Sequence, residues 1–447
     1  MSMDLLARGL AAQAKRSGEA GGLGYIRSAQ RIVRAAARGI TPITTVMASP
    51  PTYSEGTSGT ASTITGANVN ASGGGASAYT SDATRFSSNG WFTASATATT
   101  GMTDRSVTKL NANTAGYRRG AHGASIVFGT DADQFDVCAS WGSVPFIVYV
   151  TDLRTGIRAR TQANDIVPTV TSTSYKKWVF ADAGPRIIEI CPRYSAANTT
   201  PVFRGVNVPA TANIWQVANH FPDQPRIAWI GDSWGDTGGS TNTNSAKLLA
   251  TDYFGERLGC RSVLSLSQGG SGLLNDSAGQ GSYYQRAIEG SPLGDATGDL
   301  SVSRIGKLDL IVIPGTLNDR VDNNAAWTDA AAQAAMQALA AAARAMQPDA
   351  LIVGLGPQQT RSVTTLQSRF DALQAGLLAG AAGDPRCLWI DNSPTGDQLL
   401  FGSAATGNIS LWFDAGDVNH LNDAGNAGWG RRVGTAVVSA LALRFGG

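Results

Sequence analysis

The 447-residue sequence predicts a three-layer α/β domain on a parallel sheet, preceded by an all-β domain and a short helical leader. Three observations carry the prediction. Beyond residue 220, short apolar runs alternate with segments long and alanine-rich enough to be helices. Between residues 121 and 220, apolar runs follow one another with Gly, Asp and Pro between them. Near the N-terminus, apolar residues fall at helical spacing instead. A chain this long exceeds one ordinary core, and the patterns divide it into residues 1–40, 41–220 and 221–447.

In the leader, Leu5, Leu6 and Leu10, then Ile26, Ile32, Val33 and Ala36, mark two amphipathic helices broken by "SGEAGG". Short helices of this kind bury little alone. The segment 1–40 is therefore expected to dock on a larger assembly or on a second copy of the chain. Asp4, Arg8, Lys15 and Arg16 interrupt any continuous apolar stretch, so the pattern is not that of a signal peptide. No run of ~18 apolar residues predicts a membrane span.

The next segment is dense in Ser, Thr, Gly and Ala up to about residue 120, yet it contains Tyr79, Phe86, Trp91 and Phe92. Threonine and aromatic residues favour strands, so short strands between long loops are expected rather than a bare linker. "SIVFGT", "FDVCASW", "VPFIVYVTD", "YKKWVFAD" and "RIIEICPR" then read as successive strands of a sandwich, jelly-roll-like in spacing.

In the last domain the strand candidates are "RIAWIG", "RSVLSLS", "LDLIVIPG", "ALIVGLG" and "CLWIDN". Helices are expected over 325–347, 361–380 and 423–444, the last capped by Asn422 or Asp423. Such a sheet is covered on both faces, and its ligand site lies beyond the carboxyl ends of its strands.

Charge and cysteine content narrow the function classes. A formal net charge of +2 gives no electrostatic footprint for nucleic acid. Cys138, Cys191, Cys260 and Cys387 lack the C-x-x-C spacing of a zinc site. Cys138 with Cys191 and Cys260 with Cys387 are conceivable disulfides, but four buried thiols are the favoured reading.

The strand ends carry the chemistry. After the first comes Gly231-Asp232-Ser233, after the second "SQGGSG" ending in Gly272, after the third "GTLND" with Asn318 and Asp319, and near the C-terminus "DAGDVNH" with Asp417 and His420. A serine hydroxyl becomes a competent nucleophile only when a base takes its proton. Histidine is the usual base, and a carboxylate on its far nitrogen fixes the tautomer. A developing oxyanion needs preorganised donors, each worth about 3–4 kcal/mol of barrier. The chain has three histidines, His122, His220 and His420, and of these His420 lies within the α/β domain. Asp414, Asp417, His420 and Asp423 also recur every three residues, a spacing that suggests hard metal ligands. Asp423 is better placed as a helix cap, so neither metal nor cofactor is expected.

"GDSWGD", "GGSG", "GTLND" and "DVNHLNDAG" resemble, in order, the four sequence blocks of the SGNH (GDSL-type) hydrolases, over roughly residues 225–445. The resemblance implies a flavodoxin-like parallel sheet, Ser233 as nucleophile, His420 as general base and Asp417 as its orienting carboxylate. It implies an oxyanion hole made by the backbone N–H groups of Ser233 and Gly272 and the Asn318 side chain, with Asp232 and Asp319 structural. Two features depart from the family. The third block places two residues between Gly315 and Asn318 where one is usual, and the second offers Gly269 and Gly270 beside Gly272.

The implied reaction is ester hydrolysis. The small polar residues that follow Ser233 favour an open, wettable cleft, and Trp234, Trp327 and Trp412 are candidates for stacking on a sugar. A β-sandwich ahead of such a domain resembles the layout of several carbohydrate esterases, which makes an acetylated polysaccharide the expected substrate. The alternative expectation is a virion-attached tail or baseplate protein that docks by its leader and trims or binds a host glycan.

Overall fold

A computed structural model describes residues 24–57, 62–64, 87–89, 93–94, 105–106, 125–140, 145–170, 172, 174–192, 202–215, 217, 224–235, 249–261, 263–276, 281–289, 300–320, 322–357, 367–392 and 419–445. Helix α1 (Gly24–Arg38) comes first, with Ile26, Ala29, Ile32 and Ala36 buried along one face. Ala29 and Ile32 pack into the core of the C-terminal domain. Ser28 Oγ donates to Asp309 Oδ1 at 2.8 Å, and Arg31 pairs with the same carboxylate at 3.2 Å. For this helix, the expected docking of residues 1–40 on an assembly or second copy is met by packing within the chain. Over 24–38 the apolar face is covered by the chain's own helices, while residues 1–23 lie outside the described set.

The β region contains β1 (Thr52–Glu55), β2 (Ser87–Asn89), β3 (Thr93–Ala94), β4 (Arg105–Ser106), β5 (Ser125–Thr130), β6 (Gln134–Ser140), β7 (Phe146–Asp152), β8 (Arg158–Arg160), β9 (Ser174–Val179), β10 (Arg186–Pro192), β11 (Val202–Asn207) and β12 (Ile214–Trp215). One sheet runs β1-β9-β6-β11-β4-β3 and the other β12-β5-β10-β7-β8, with β2 also on β5. Their neighbours pair antiparallel, and Phe128, Phe135, Val148, Trp178, Ile188 and Val206, drawn from both sheets, share one core. All four cysteines are thiols.

Alternation along β10 sends Ile188 and Ile190 into that core and Glu189 to the opposite face. There Glu189 receives Arg158 Nη2 at 2.6 Å, and both side chains are buried. The guanidinium carbon lies 3.5 Å from the centroid of the Tyr149 ring. Tyr149 also joins Ile43, Ile147 and Tyr253 in a small apolar cluster, so the β region and the C-terminal domain meet in a packed joint.

The C-terminal domain holds β13 (Ile227–Trp229), β14 (Val263–Ser265), β15 (Leu310–Pro314), β16 (Leu351–Leu355) and β17 (Cys387–Ile390), all parallel, in the order β14-β13-β15-β16-β17. Its helices are α2 (Ala250–Arg257), α3 (Val302–Ile305), α4 (Asp329–Met346), α5 (Gln367–Ala381) and α6 (Asp423–Phe445). The two-residue period decides which core each strand residue enters. Ile227, Trp229, Leu310 and Val312 face α1, α2 and α6, whereas Ala228, Ile230, Ile311 and Ile313 face α4 and α5. Both strand faces are covered, which explains the unbroken apolar runs in the sequence. Asn422 caps α6, its side chain accepting the Gly425 N–H at 2.8 Å. Among the described residues no helix is long and apolar enough to cross a membrane.

Asp136 on β6 is buried and accepts from Asn207 Nδ2 at 2.7 Å and from Ser62 Oγ. Burial pushes its carboxyl from 3.8 up to about 6, against the pull of the two hydrogen bonds. The folded chain therefore holds this proton more tightly than the unfolded chain. Its contribution to stability is greatest below about pH 4 and is lost as pH rises to about 6. Asp136→Asn, which cannot titrate, is expected to gain on the wild type by up to about 3 kcal/mol across that window. Urea unfolding of both proteins at several pH values checks this, and a constant difference refutes it.

Candidate active site

Strand β13 ends beside both β14 and β15, where the chain switches from one side of the sheet to the other. Such a switch point opens a crevice at the carboxyl ends of the strands. Gly231, Asp232 and Ser233 follow β13 there. Ser233 Oγ lies 2.8 Å from His420 Nε2. The two residues are 187 positions apart, and the fold brings them into hydrogen-bond contact. When the ring carries its proton on Nδ1, Nε2 accepts from the serine hydroxyl and is placed to remove its proton.

Trp234 ties this pair together. Its indole N–H donates to the Asn419 carbonyl at 2.9 Å, one residue before His420. The ring packs edge-on against Trp429 of α6, and Trp429 packs on Trp229 of β13. Trp234 is 3% exposed, which corrects its candidacy as a sugar-stacking surface. Trp327 is partly exposed and Trp412 lies outside the described residues. Asp417, Asp414, His122 and His220 also lie outside them.

Asp232 is buried beneath the serine. Its Oδ1 accepts the Trp234 N–H at 3.0 Å, closing the turn, and its Oδ2 accepts Thr316 Oγ1 at 2.6 Å. Burial pushes the carboxyl up, opposed by those two donors and by nearby His420. Thr316 in turn caps a single 3-10 turn, Leu317–Asp319, accepting the Asn318 N–H at 3.1 Å. Asn318 Nδ2 donates to Ser271 O at 2.9 Å and has a second hydrogen for another acceptor.

The second block folds tightly. The Ser271 N–H reaches Gln268 O at 3.2 Å, and Gly270 has φ +77°, the left-handed third position of a type II turn. Gly272 has a different part from the one expected. Its N–H is donated to Asn275 O at 2.8 Å, and a Cβ there would come within 2.2 Å of Asp319 Oδ1. Its small size admits the Asp319 carboxylate, and its N–H is already engaged. Among the described residues the N–H groups of Ser233 and Gly270 have no acceptor. Sequence spacing cannot separate Gly270 from Gly272, because engaged and unengaged N–H groups look alike in a glycine run.

Asp319 organises the loop. Its carboxylate accepts from the N–H of Leu273 at 2.8 Å, Leu274 at 3.0 Å and Asn275 at 2.8 Å. Burial pushes it up to about 6, although all three N–H donors favour the ionised form. Among the described residues no cluster of three or more His, Cys, Asp or Glu side chains is arranged to hold a metal ion. Asp319→Asn would turn an amide N–H₂ towards donors that need an acceptor. It is expected to cost roughly 1–3 kcal/mol and to speed amide exchange at Leu273–Asn275. Urea unfolding with residue-resolved hydrogen exchange checks both.

No family model matches the chain, and no protein of curated function is significantly similar in sequence. Solved structures do match. A family two carbohydrate esterase from Clostridium thermocellum, solved in complex with cellohexaose, superposes with TM-score 0.52 at 17% identity, over 80% of this chain and 99% of that one. A family two carbohydrate esterase from Cellvibrio japonicus gives TM-score 0.53 at 14% identity, over 81% and 96%. A third, from Corynascus thermopiles and solved with its carbohydrate-binding domain, gives 0.50 at 16%, over 76% and 99%. The matched regions extend beyond the last domain into the β region, since the last domain is only about half of the chain. The chain therefore shares the fold of these solved carbohydrate esterase structures.

Proposed function

We propose that this protein is a serine esterase that removes short acyl groups, O-acetyl above all, from a polysaccharide. The observation that carries the reading is the 2.8 Å contact between Ser233 Oγ and His420 Nε2 at the carboxyl end of the first parallel strand. Ser233 Oγ attacks the ester carbonyl carbon while its proton passes to His420 Nε2. The carbonyl π pair moves onto oxygen, giving an oxyanion. Its donors are the N–H groups of Ser233 and Gly270 and the second hydrogen of Asn318 Nδ2. The tetrahedral carbon then expels the alcohol oxygen, which takes the proton from His420. Water repeats the sequence on the acyl-serine, releasing the carboxylic acid and restoring the hydroxyl. Asp417, three residues before the histidine, accepts a hydrogen bond from Nδ1–H in this scheme and steadies the imidazolium.

The glycan part of the reading is supported by the fold shared with carbohydrate esterases. We read the two-sheet β region as a jelly-roll-like sandwich that flanks the cleft. Its packing against the C-terminal domain through Ile43, Tyr149 and Tyr253 supports a fixed relation between the two.

The test uses p-nitrophenyl acetate and an acetylated polysaccharide. Wild type is expected to release acetate from both, and Ser233→Ala to lose at least about a thousandfold in kcat. Asp417→Asn is expected to lose about a thousandfold or more through the wrong tautomer. Equal rates for wild type and Ser233→Ala would end the esterase reading.

A further inference from the structure

We infer that Arg286 is a positioning residue for this reaction, locking the Ser233 turn and the Gly270 turn into one frame; the inference rests on the reading of Ser233 as nucleophile. Arg286 lies in a π-helical turn, Gln285–Glu289, and is only 3% exposed. Its guanidinium reaches two strand ends together. Nη1 donates to Leu266 O at 2.6 Å, just past β14. Nη2 donates to Gly231 O at 3.3 Å, two residues before Ser233, and to Ser271 Oγ at 2.9 Å. Nε donates to Gly281 O at 3.2 Å, and the Tyr283 ring centroid lies 5.5 Å from the guanidinium carbon.

A buried carbonyl oxygen has two lone pairs: Gly231 O, already reached by the Gln268 N–H at 3.0 Å, gains a second donor in Arg286, and Leu266 O gains one. A guanidinium presents five N–H groups in a rigid plane and can serve several such carbonyls at once, as an ammonium cannot. The frame extends further. Ser271 Oγ also donates to Gln268 O at 2.7 Å, across the turn that carries Gly270. The Ser271 carbonyl accepts Asn318 Nδ2 at 2.9 Å. The segments bearing all three proposed oxyanion donors are therefore linked to one side chain. Arg286 touches no reacting atom and acts through these partners.

The test compares wild type, Arg286→Met, Arg286→Lys, Ser271→Ala and Ser233→Ala. The measurements are kcat and KM on p-nitrophenyl acetate and the rate at which diethyl p-nitrophenyl phosphate phosphorylates Ser233. Folding is followed by circular dichroism. Displaced donors are expected to lower kcat of folded Arg286→Met about a hundredfold, with KM within about threefold. Phosphorylation should slow in parallel, since it builds negative charge on an oxygen held by the same donors. Arg286→Lys should recover only part of the rate, and Ser271→Ala should lose about three- to tenfold. A folded Arg286→Met with kcat within about twofold of wild type, or with KM alone raised, overturns the inference. Should Arg286→Met not fold, unchanged kcat in Ser271→Ala overturns it instead. A wild type no faster than Ser233→Ala defeats the esterase reading itself, which is a different result from an active enzyme indifferent to Arg286.

Discussion

One buried contact, Thr316 Oγ1 to Asp232 Oδ2 at 2.6 Å, underlies the arrangement at the sheet end. Asp232 fixes the turn that presents Ser233, and Thr316 fixes the turn that presents Asn318. A carboxylate sealed from water is costly unless its oxygens find donors, and here each oxygen has one. Asn318 then reaches Ser271, and the Asp319 carboxylate gathers the N–H groups of residues 273–275. The first, second and third sequence blocks are thus cross-linked by hydrogen bonds that depend on each other for burial.

The fourth block is attached differently. His420 precedes α6, and the Asn419 carbonyl is held by the indole of Trp234. That indole belongs to the residue after Ser233, so serine and imidazole share a single rigid spacer. The spacer is held in turn by Trp429 and Trp229, which connect it to α6 and β13. Aromatic packing beneath the site therefore does what a hydrogen-bond network does beside it. It keeps two side chains from distant parts of the chain within one hydrogen-bond length.

Much of this was legible in the residues alone. Buried parallel strands need apolar residues on both faces, so β15 and β16 announce themselves as "LIVIP" and "LIVGL". Strands at the edges of the β region, such as β8 and β12, have two or three residues and leave no periodic trace. The pairing of Ser233 with His420 was legible because histidine is scarce and the contexts of both residues are specific. The part played by Gly272 was not, because what decides it is where an N–H points and what carboxylate sits beside the Cα. Arg286 was invisible for a related reason. Its acceptors include backbone carbonyls, and carbonyls have no sequence signature. The amphipathic face of α1 was legible, but a pattern of apolar residues states that a face will be covered without stating by what. Asp309 and the core of the C-terminal domain supply the answer within the chain.

The covering of α1 bears on how the domains cooperate. After α1 the chain runs through Ile43, whose N–H donates to Glu256 of α2 and whose carbonyl accepts from Tyr149 of β7. Tyr149 lies under Arg158, which Glu189 neutralises in a buried pair. Removing one member of such a pair leaves an unpaired buried charge, a loss of about 3–5 kcal/mol. The joint between the β region and the C-terminal domain is therefore a packed interface rather than a flexible tether. Any surface that the β region presents is thereby held in a fixed relation to Ser233.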